Sequence, residues 1–365
     1  MIRNCLITLT AIATVVFTSC SAPETKPRAG GGIDEVCFIQ DIRLASDTSH
    51  AIIKDRLVEH YGPFYFEEPT FDLLEIEYGN LTGMFRAHRN LIFVGVLDIN
   101  STYNETLKML IGEEGVQKVM SGEVVTAERR DLWATGQGIM AIAAPDKETL
   151  VNALPVALER VVSRIQGTEF EKLKKHVYAT GENLGYKNEL LDNHDISMRI
   201  PNNYKRHEKS NGNFLWYRRS TVDLTASVMV MHHPYRRSLE VTPYYAIFLR
   251  DSLGKKYERT QVRGAYMTTE KLVYPIRDTI SVDGKFAIRT QGLWRTEHDF
   301  MGGPFVNYLI YDDDRNRIVF AEGYIYNPDV PTGGRRRMIR EMETIISTLS
   351  FPDEGTTTTA EATTP

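Results

Sequence analysis

Cysteine is nearly missing from this chain of 365 residues, which has only Cys5, Cys20 and Cys37. That count excludes cysteine-rich zinc sites and Cys-x-x-Cys redox chemistry. The first two lie in the N-terminal segment described below, so one cysteine remains for the folded body and no internal disulfide can form. Cys37 sits in the short apolar segment Glu35-Val36-Cys37-Phe38-Ile39, where burial as a small hydrophobe is expected. A basic excess is missing too. Forty-three Lys and Arg stand against 48 Asp and Glu, a formal charge of −5, so nucleic acid is not an expected partner. Beyond residue 17 no apolar run exceeds about ten residues, half of the roughly twenty that span a bilayer. Gly-x-Ser-x-Gly, Walker, dinucleotide-fingerprint and His-Glu-x-x-His motifs do not occur. No cofactor or metal is therefore expected, although a catalytic triad scattered in sequence stays open.

What is present begins at the N-terminus. Met1-Ile2-Arg3-Asn4 is followed by an apolar stretch over 5–17 and by Thr18-Ser19-Cys20-Ser21, the layout of a secretory signal. The segment Phe17-Thr18-Ser19-Cys20 resembles a bacterial lipoprotein signal, with Phe17 where Leu is usual. The resemblance implies that residues 1–19 are removed and that Cys20 carries diacylglycerol and a further palmitoyl-type chain. The bilayer is then a partner. Ser21 after Cys20 resembles sorting to the periplasmic leaflet of the outer membrane. Residues 20–33 would be the lipidated cysteine and a flexible tether, rich in Pro, Gly and Ala.

The rest reads as two α+β domains. Over 34–180, strands are expected at 71–78, 90–98, 123–130 and 137–144, with a helix at 103–110. Asp146 caps an amphipathic helix carrying Leu150, Leu154, Leu158, Val161, Val162 and Ile165 on one side. Pro155 should kink it and Gly167 end it, with Thr168-Glu169-Phe170-Glu171 opening another helix as a capping box. Helices on one face of the sheet would complete this domain. Residues 181–194 read as a polar linker. Over 195–352 the pattern shifts to antiparallel strands at 196–200, 214–220, 226–232, 279–282, 285–290, 305–311 and 317–326, with Asp283-Gly284 as a hairpin turn. A helix opens at Thr242-Pro243 and should stop near Gly254, and a closing helix at 334–349 should bury Met338, Met342, Ile345, Ile346 and Leu349. The Thr-rich tail at 353–365 should be disordered. The expected fold class is α+β, with each domain a largely antiparallel sheet packed against helices.

Gly292-Leu293-Trp294-Arg295-Thr296-Glu297 and Met301-Gly302-Gly303-Pro304-Phe305, with the hairpin and closing helix, look like an uncharacterised Bacteroidetes lipoprotein family. Arg89-Asn90-Leu91-Ile92 and Asp131-Leu132-Trp133-Ala134 extend the likeness into the first half. That family is a domain of unknown function, so the resemblance implies an envelope protein and no activity. From Ile200-Pro201-Asn202-Asn203-Tyr204 onward the layout is also similar to the PsbP and Mog1 group of α/β/α sandwiches, whose members bind or assemble other proteins.

The segment from Trp294 to Phe305 is the candidate site. Trp294, Arg295, Glu297, His298, Gly302 and Gly303 combine an aromatic, a guanidinium and glycines that permit close backbone approach, which suits peptide or carbohydrate recognition. The alternative is that Trp294 is core. Asp312, Asp314 and Asn316 have calcium-loop spacing, but Arg317 and Gly323 occupy positions that need Gly and Glu, so a polar hairpin turn is expected. His232 and His233 are adjacent on a strand and should face opposite ways. Arg335-Arg336-Arg337 and Arg340 read as a solvated helix start rather than an anionic-lipid contact. Asp251-Ser252-Leu253 and Asp278-Thr279-Ile280 resemble an O-glycosylation pattern of exported proteins. The expectation is an envelope lipoprotein that binds or assembles, with an envelope protein or glycan as partner. The alternative is an envelope hydrolase acting on glycan or peptide. Converging carboxylates or a nucleophile bonded to His would mark the hydrolase, and an aromatic patch would mark binding.

Overall fold

The computed structural model describes residues 26–41, 47–97, 101–236, 240–258, 260–329 and 334–352. The signal, Cys20, Ser21 and the tail at 353–365 lie outside the described residues. No described helix is long and apolar enough to cross a membrane.

The first sheet has strand order β2-β1-β3-β5-β4. Its strands are β1 (Glu35–Gln40), β2 (Asp72–Glu77), β3 (Asn90–Val96), β4 (Val125–Arg130) and β5 (Gly138–Ala144). Every residue of β3 is buried, as suits a strand covered on both faces. Helices α1 (Thr48–Leu57) and α4 (Lys147–Val177) cover one face through Ile53, Leu57 and the predicted stripe from Leu150 to Ile165. A single turn, α2 (Gly83–Arg86), precedes β3, and helix α3 (Thr102–Met120), broken at Gly112, covers the other face against Cys37, Phe93 and Ala141. The helices thus lie on both faces rather than one. The α+β reading holds, and antiparallel ladders dominate the molecule. In this sheet, however, only β4–β5 is antiparallel, and β1–β2, β1–β3 and β3–β5 are parallel. The α1 crossover returns β2 in the direction of β1, and no short hairpin could do so.

The second sheet is antiparallel throughout, with order β10-β11-β12-β13-β8-β7-β6 and β9 beside β11. Its main strands are β7 (Phe214–Ser220), β8 (Thr225–Pro234), β10 (Ile276–Val282), β11 (Lys285–Glu297), β12 (Gly302–Asp312) and β13 (Arg317–Tyr326), with β6 (Lys205–Arg206) and β9 (Tyr266–Thr269) short. Helix α7 (Gly334–Ile346) packs on one face through Met342, Ile345 and Ile346. Helix α6 (Pro243–Tyr257) packs on the other beside Trp216, Phe305 and Phe320. It passes through Gly254 instead of stopping there, and a Cβ at that position would lie 2.5 Å from the Met267 carbonyl oxygen of β9. The glycine serves helix–strand approach and does not terminate the helix. Residues 196–200 supply only the bridge of Ser197 to Ser350, with Ile196, Met198 and Ile200 buried in the α7-side core.

Three sequence expectations change at the domain joint. Helix α4 does not end at Gly167. Thr168 Oγ1 bonds within the helix to the Arg164 carbonyl at 3.1 Å, and the apolar stripe continues as Leu173 and Val177 in the second domain's core. The expected linker folds as α5 (Leu184–His194), capped by Asn183 and held by buried Leu190. The spacer ends early, since the Ala29 amide donates to the Thr135 carbonyl and the Gly30 amide to that of Ala87, each at 2.9 Å.

Candidate functional site

Where the first domain meets the ends of β11, β12 and β13, the surface opens into a cavity of about 400 Å³. The β11–β12 turn puts His298 at φ 65° and sends Phe300 fully into solvent. Trp294 is buried, donating its indole N–H to the Ile325 carbonyl at 3.0 Å, and the residue forms part of the cavity lining. Gly303 pairs with Trp294 and Gly302 with Arg295 across the ladder. A Cβ on Gly303 would lie 2.0 Å from the Ile325 carbonyl oxygen, so close approach is what these glycines provide. Of the six candidate residues, Trp294, Arg295, Gly302 and Gly303 line the cavity. Glu297 and His298 do not, although Glu297 holds Arg295 at 2.6 Å.

Another part of the lining comes from the first domain. Phe64, Tyr65 and Phe66 reach over from the loop between α1 and β2. Phe64 anchors that loop in the second domain's core, while Tyr65 and Phe66 are more than half exposed. Arg335 of α7 lies 5.6 Å over the Phe66 ring and pairs with buried Glu68 at 3.2 Å. A dense aromatic run between Pro63 and Pro69 was the signal available in the sequence.

The electrostatics are those of a paired site. Burial opposes the charge of Glu270, yet hydrogen bonds from Tyr65 and from the Leu272 and Lys271 amides, with Arg295 nearby, hold its carboxyl below the usual range. Burial and that same bond to Glu270 push the Tyr65 phenol up to about 12. Asp299 also lines the cavity. A neighbouring cavity of about 200 Å³ shares Trp294, Thr296, Met301 and Tyr326 with the first. In it Arg218, stacked 4.3 Å over Trp216, and the Tyr324 hydroxyl both donate to Glu258.

Other marked residues have structural partners. The Lys285 ammonium lies 3.1, 3.2 and 2.6 Å from Asp312, Asp313 and Asp314, filling the position that calcium-loop spacing suggested. His232 and His233 do face opposite ways, toward His194 and toward the Tyr245 hydroxyl, each at 3.0 Å. Burial and nearby Arg317 lower the His232 pKa to about 4. The arginines of α7 are not a solvated helix start. Arg336 and Arg340, both buried, converge on buried Asp34 of the first domain, and Arg336 also pairs with Asp72 at 3.0 Å. Ser252 and Thr279 are exposed, Ser252 donating to the Phe248 carbonyl at 2.7 Å.

Fold and cavity together define a two-domain α+β protein with an aromatic cavity at the domain joint. Each half of the chain matches a family of unknown function, as the motifs suggested. Residues 183–348 match the domain of unknown function DUF4837, and residues 29–178 match the domain of unknown function DUF8532. The Ran-binding protein Mog1p of Saccharomyces cerevisiae is similar in structure at 11% identity and a TM-score of 0.30, over 42% of this chain and 89% of that one. A mutant of protein Mog1 is similar at 11% identity and a TM-score of 0.31, over 44% of this chain and 92% of that one. No curated protein matches the chain.

Proposed function

We propose that this chain is a lipid-anchored envelope protein that binds a ligand in the cavity between Phe64–Phe66 and Trp294–Pro304. The observation that carries the binding role is the cavity itself, about 400 Å³ with exposed Tyr65, Phe66 and Phe300 at its rim. Aromatic rims of this kind supply large contact area at low entropic cost. The anchor rests on Phe17-Thr18-Ser19-Cys20 and on the short apolar stretch before it. With Cys20 lipidated, both domains would face ligands held at the same membrane surface, on the periplasmic leaflet of the outer membrane.

Two measurements separate the halves of this reading. Cys20→Ala should move the protein from the membrane to the soluble fraction, and unchanged fractionation would refute the anchor. Phe66→Ala with Phe300→Ala should release whatever envelope component copurifies with the parent protein, while membrane association stays intact. Equal recovery from both proteins would refute the cavity.

A hydrolase is the second reading, because Glu270 and Asp299 line one cavity. The hydrogen bonds that keep Glu270 ionised suit an acceptor better than a general acid. Glu270→Gln should therefore weaken binding without abolishing any turnover. Loss of a measured glycan- or peptide-hydrolysing activity in that variant would favour the hydrolase.

A further inference from the structure

We infer that residues 26–30, the turn α2 and the β4–β5 loop form the surface that lies against the bilayer, drawn by charge to anionic phospholipid headgroups. The inference rests on the lipid anchor proposed above. It starts from the arm before β1, which is bound to the first domain from Lys26 onward. The Lys26 ammonium donates to the Asp131 carbonyl at 2.6 Å, the Thr135 amide to the Pro27 carbonyl at 2.8 Å and the Arg89 amide to the Gly30 carbonyl at 2.9 Å. With the bonds of the Ala29 and Gly30 amides, this leaves only Ser21 to Thr25 between Cys20 and the folded body. Their reach is about 20 Å at full extension. A free tether up to residue 33 would reach about 45 Å. That is close to the diameter of a body of this length, about 50 Å, and would let any face meet the membrane. The short reach does not, so the face that carries Lys26 is the one turned to the bilayer.

What that face presents fits a phospholipid surface. Turn α2 is tied to the same place, since the Gln137 side-chain amide donates to the Arg86 carbonyl at 2.7 Å and the Arg86 guanidinium lies 5.3 Å over the Trp133 ring. Arg28 is bridged to Thr135 in the β4–β5 loop. Glu128 and Arg130 offset each other at 2.7 Å. The exposed charges that remain are Lys26, Arg28 and Arg86 against Asp131, whose carboxylate accepts from the Gly136 amide. This face is therefore positive on a chain of net charge −5. Cations this close to an anchor are attracted by anionic headgroups within a Debye length. Met84, 76% exposed on α2, adds an apolar side chain where the bilayer would cover it.

Energy transfer in vesicles of phosphatidylethanolamine and phosphatidylglycerol tests this with the full lipidated chain. Cys20 carries the lipid and Cys37 is buried, so a donor dye goes only to an introduced thiol, Met84→Cys or Glu148→Cys. Glu148 is exposed in the first turn of α4, beyond the opposite end of β5. The length of that strand separates the two positions by about 20 Å, so transfer to a headgroup-labelled lipid should be about twofold more efficient from position 84. Arg28→Glu with Arg86→Glu should shrink that difference while the protein still floats with the vesicles. Phosphatidylcholine in place of phosphatidylglycerol should do the same without a substitution. Equal transfer from both positions, or more from position 148, would overturn the surface. A difference unchanged by both charge manipulations would overturn the headgroup contact. A protein that does not float with the vesicles would refute the anchor, and this surface with it.

Discussion

Asp34 holds the two domains together at a single carboxylate. It is buried, sits at φ 65°, and receives both Arg336 and Arg340 from α7. Its own amide donates to Glu169 on α4 at 3.0 Å, and Glu169 also accepts from Asn90 of β3 at 3.0 Å. Replacing Asp34 by Ala takes the carboxylate from buried Arg340 and leaves Arg336 with Asp72 alone, and urea denaturation should report a loss of about 3–5 kcal/mol. A loss below about 1 kcal/mol would mean that the clamp is incidental. Glu322 behaves differently. It is fully buried, and burial outweighs Arg250 at 3.5 Å and Asn307 at 3.3 Å to push its carboxyl up to about 7. Its folded pKa lies above the ordinary value of 4.5. The folded chain therefore holds a proton that the unfolded chain releases. This contribution to stability is full below pH 4.5 and is lost as pH rises through about 7. Glu322→Gln should flatten that part of the stability profile, and an identical slope in parent and variant would contradict the assignment. None of these roles could be read from residue type, because the partners lie far apart in sequence.

At the scale of elements, legibility followed locality. Strand β7, the β12–β13 hairpin and the inward face of α7 stand where period and turn residues put them, since each is set by neighbours a few positions away. Long-range partners override the local signal elsewhere. Gly167 reads as a helix end, yet α4 continues through it because its stripe is buried first in one core and then in the other. The polar run after Gly181 read as linker and became α5, because Leu190 finds the second core. In the candidate site the β11–β12 side was visible as Trp294, Arg295, Gly302 and Gly303. The facing aromatics were not, because a contact between residues 66 and 335 leaves no trace in spacing. The glycine contact yields a prediction of its own. Gly303→Ala must displace the Ile325 carbonyl, costing about 1–3 kcal/mol by thermal denaturation. A neutral outcome would show that β12 and β13 are looser there than their separation implies.

At the scale of the whole molecule, the two halves are not independent bodies. Leu173, Val177 and Phe64 belong to the first half in sequence and to the core of the second in space. Calorimetry of the full chain should therefore show one cooperative unfolding transition, and two well-separated transitions would contradict a shared core. The same joint builds the cavity, with one wall from each domain, so any binding there depends on both halves being docked. Photo-crosslinking in intact cells is the most direct test of that cavity as a binding seat. A photoreactive residue replaces Phe300 in one strain and Val222, which is fully exposed on the β7–β8 turn, in another. The account predicts a crosslinked envelope component from position 300, lost when Phe66 is also changed to Ala, and none from position 222. Equal crosslinking at both positions, or none at position 300, would contradict it.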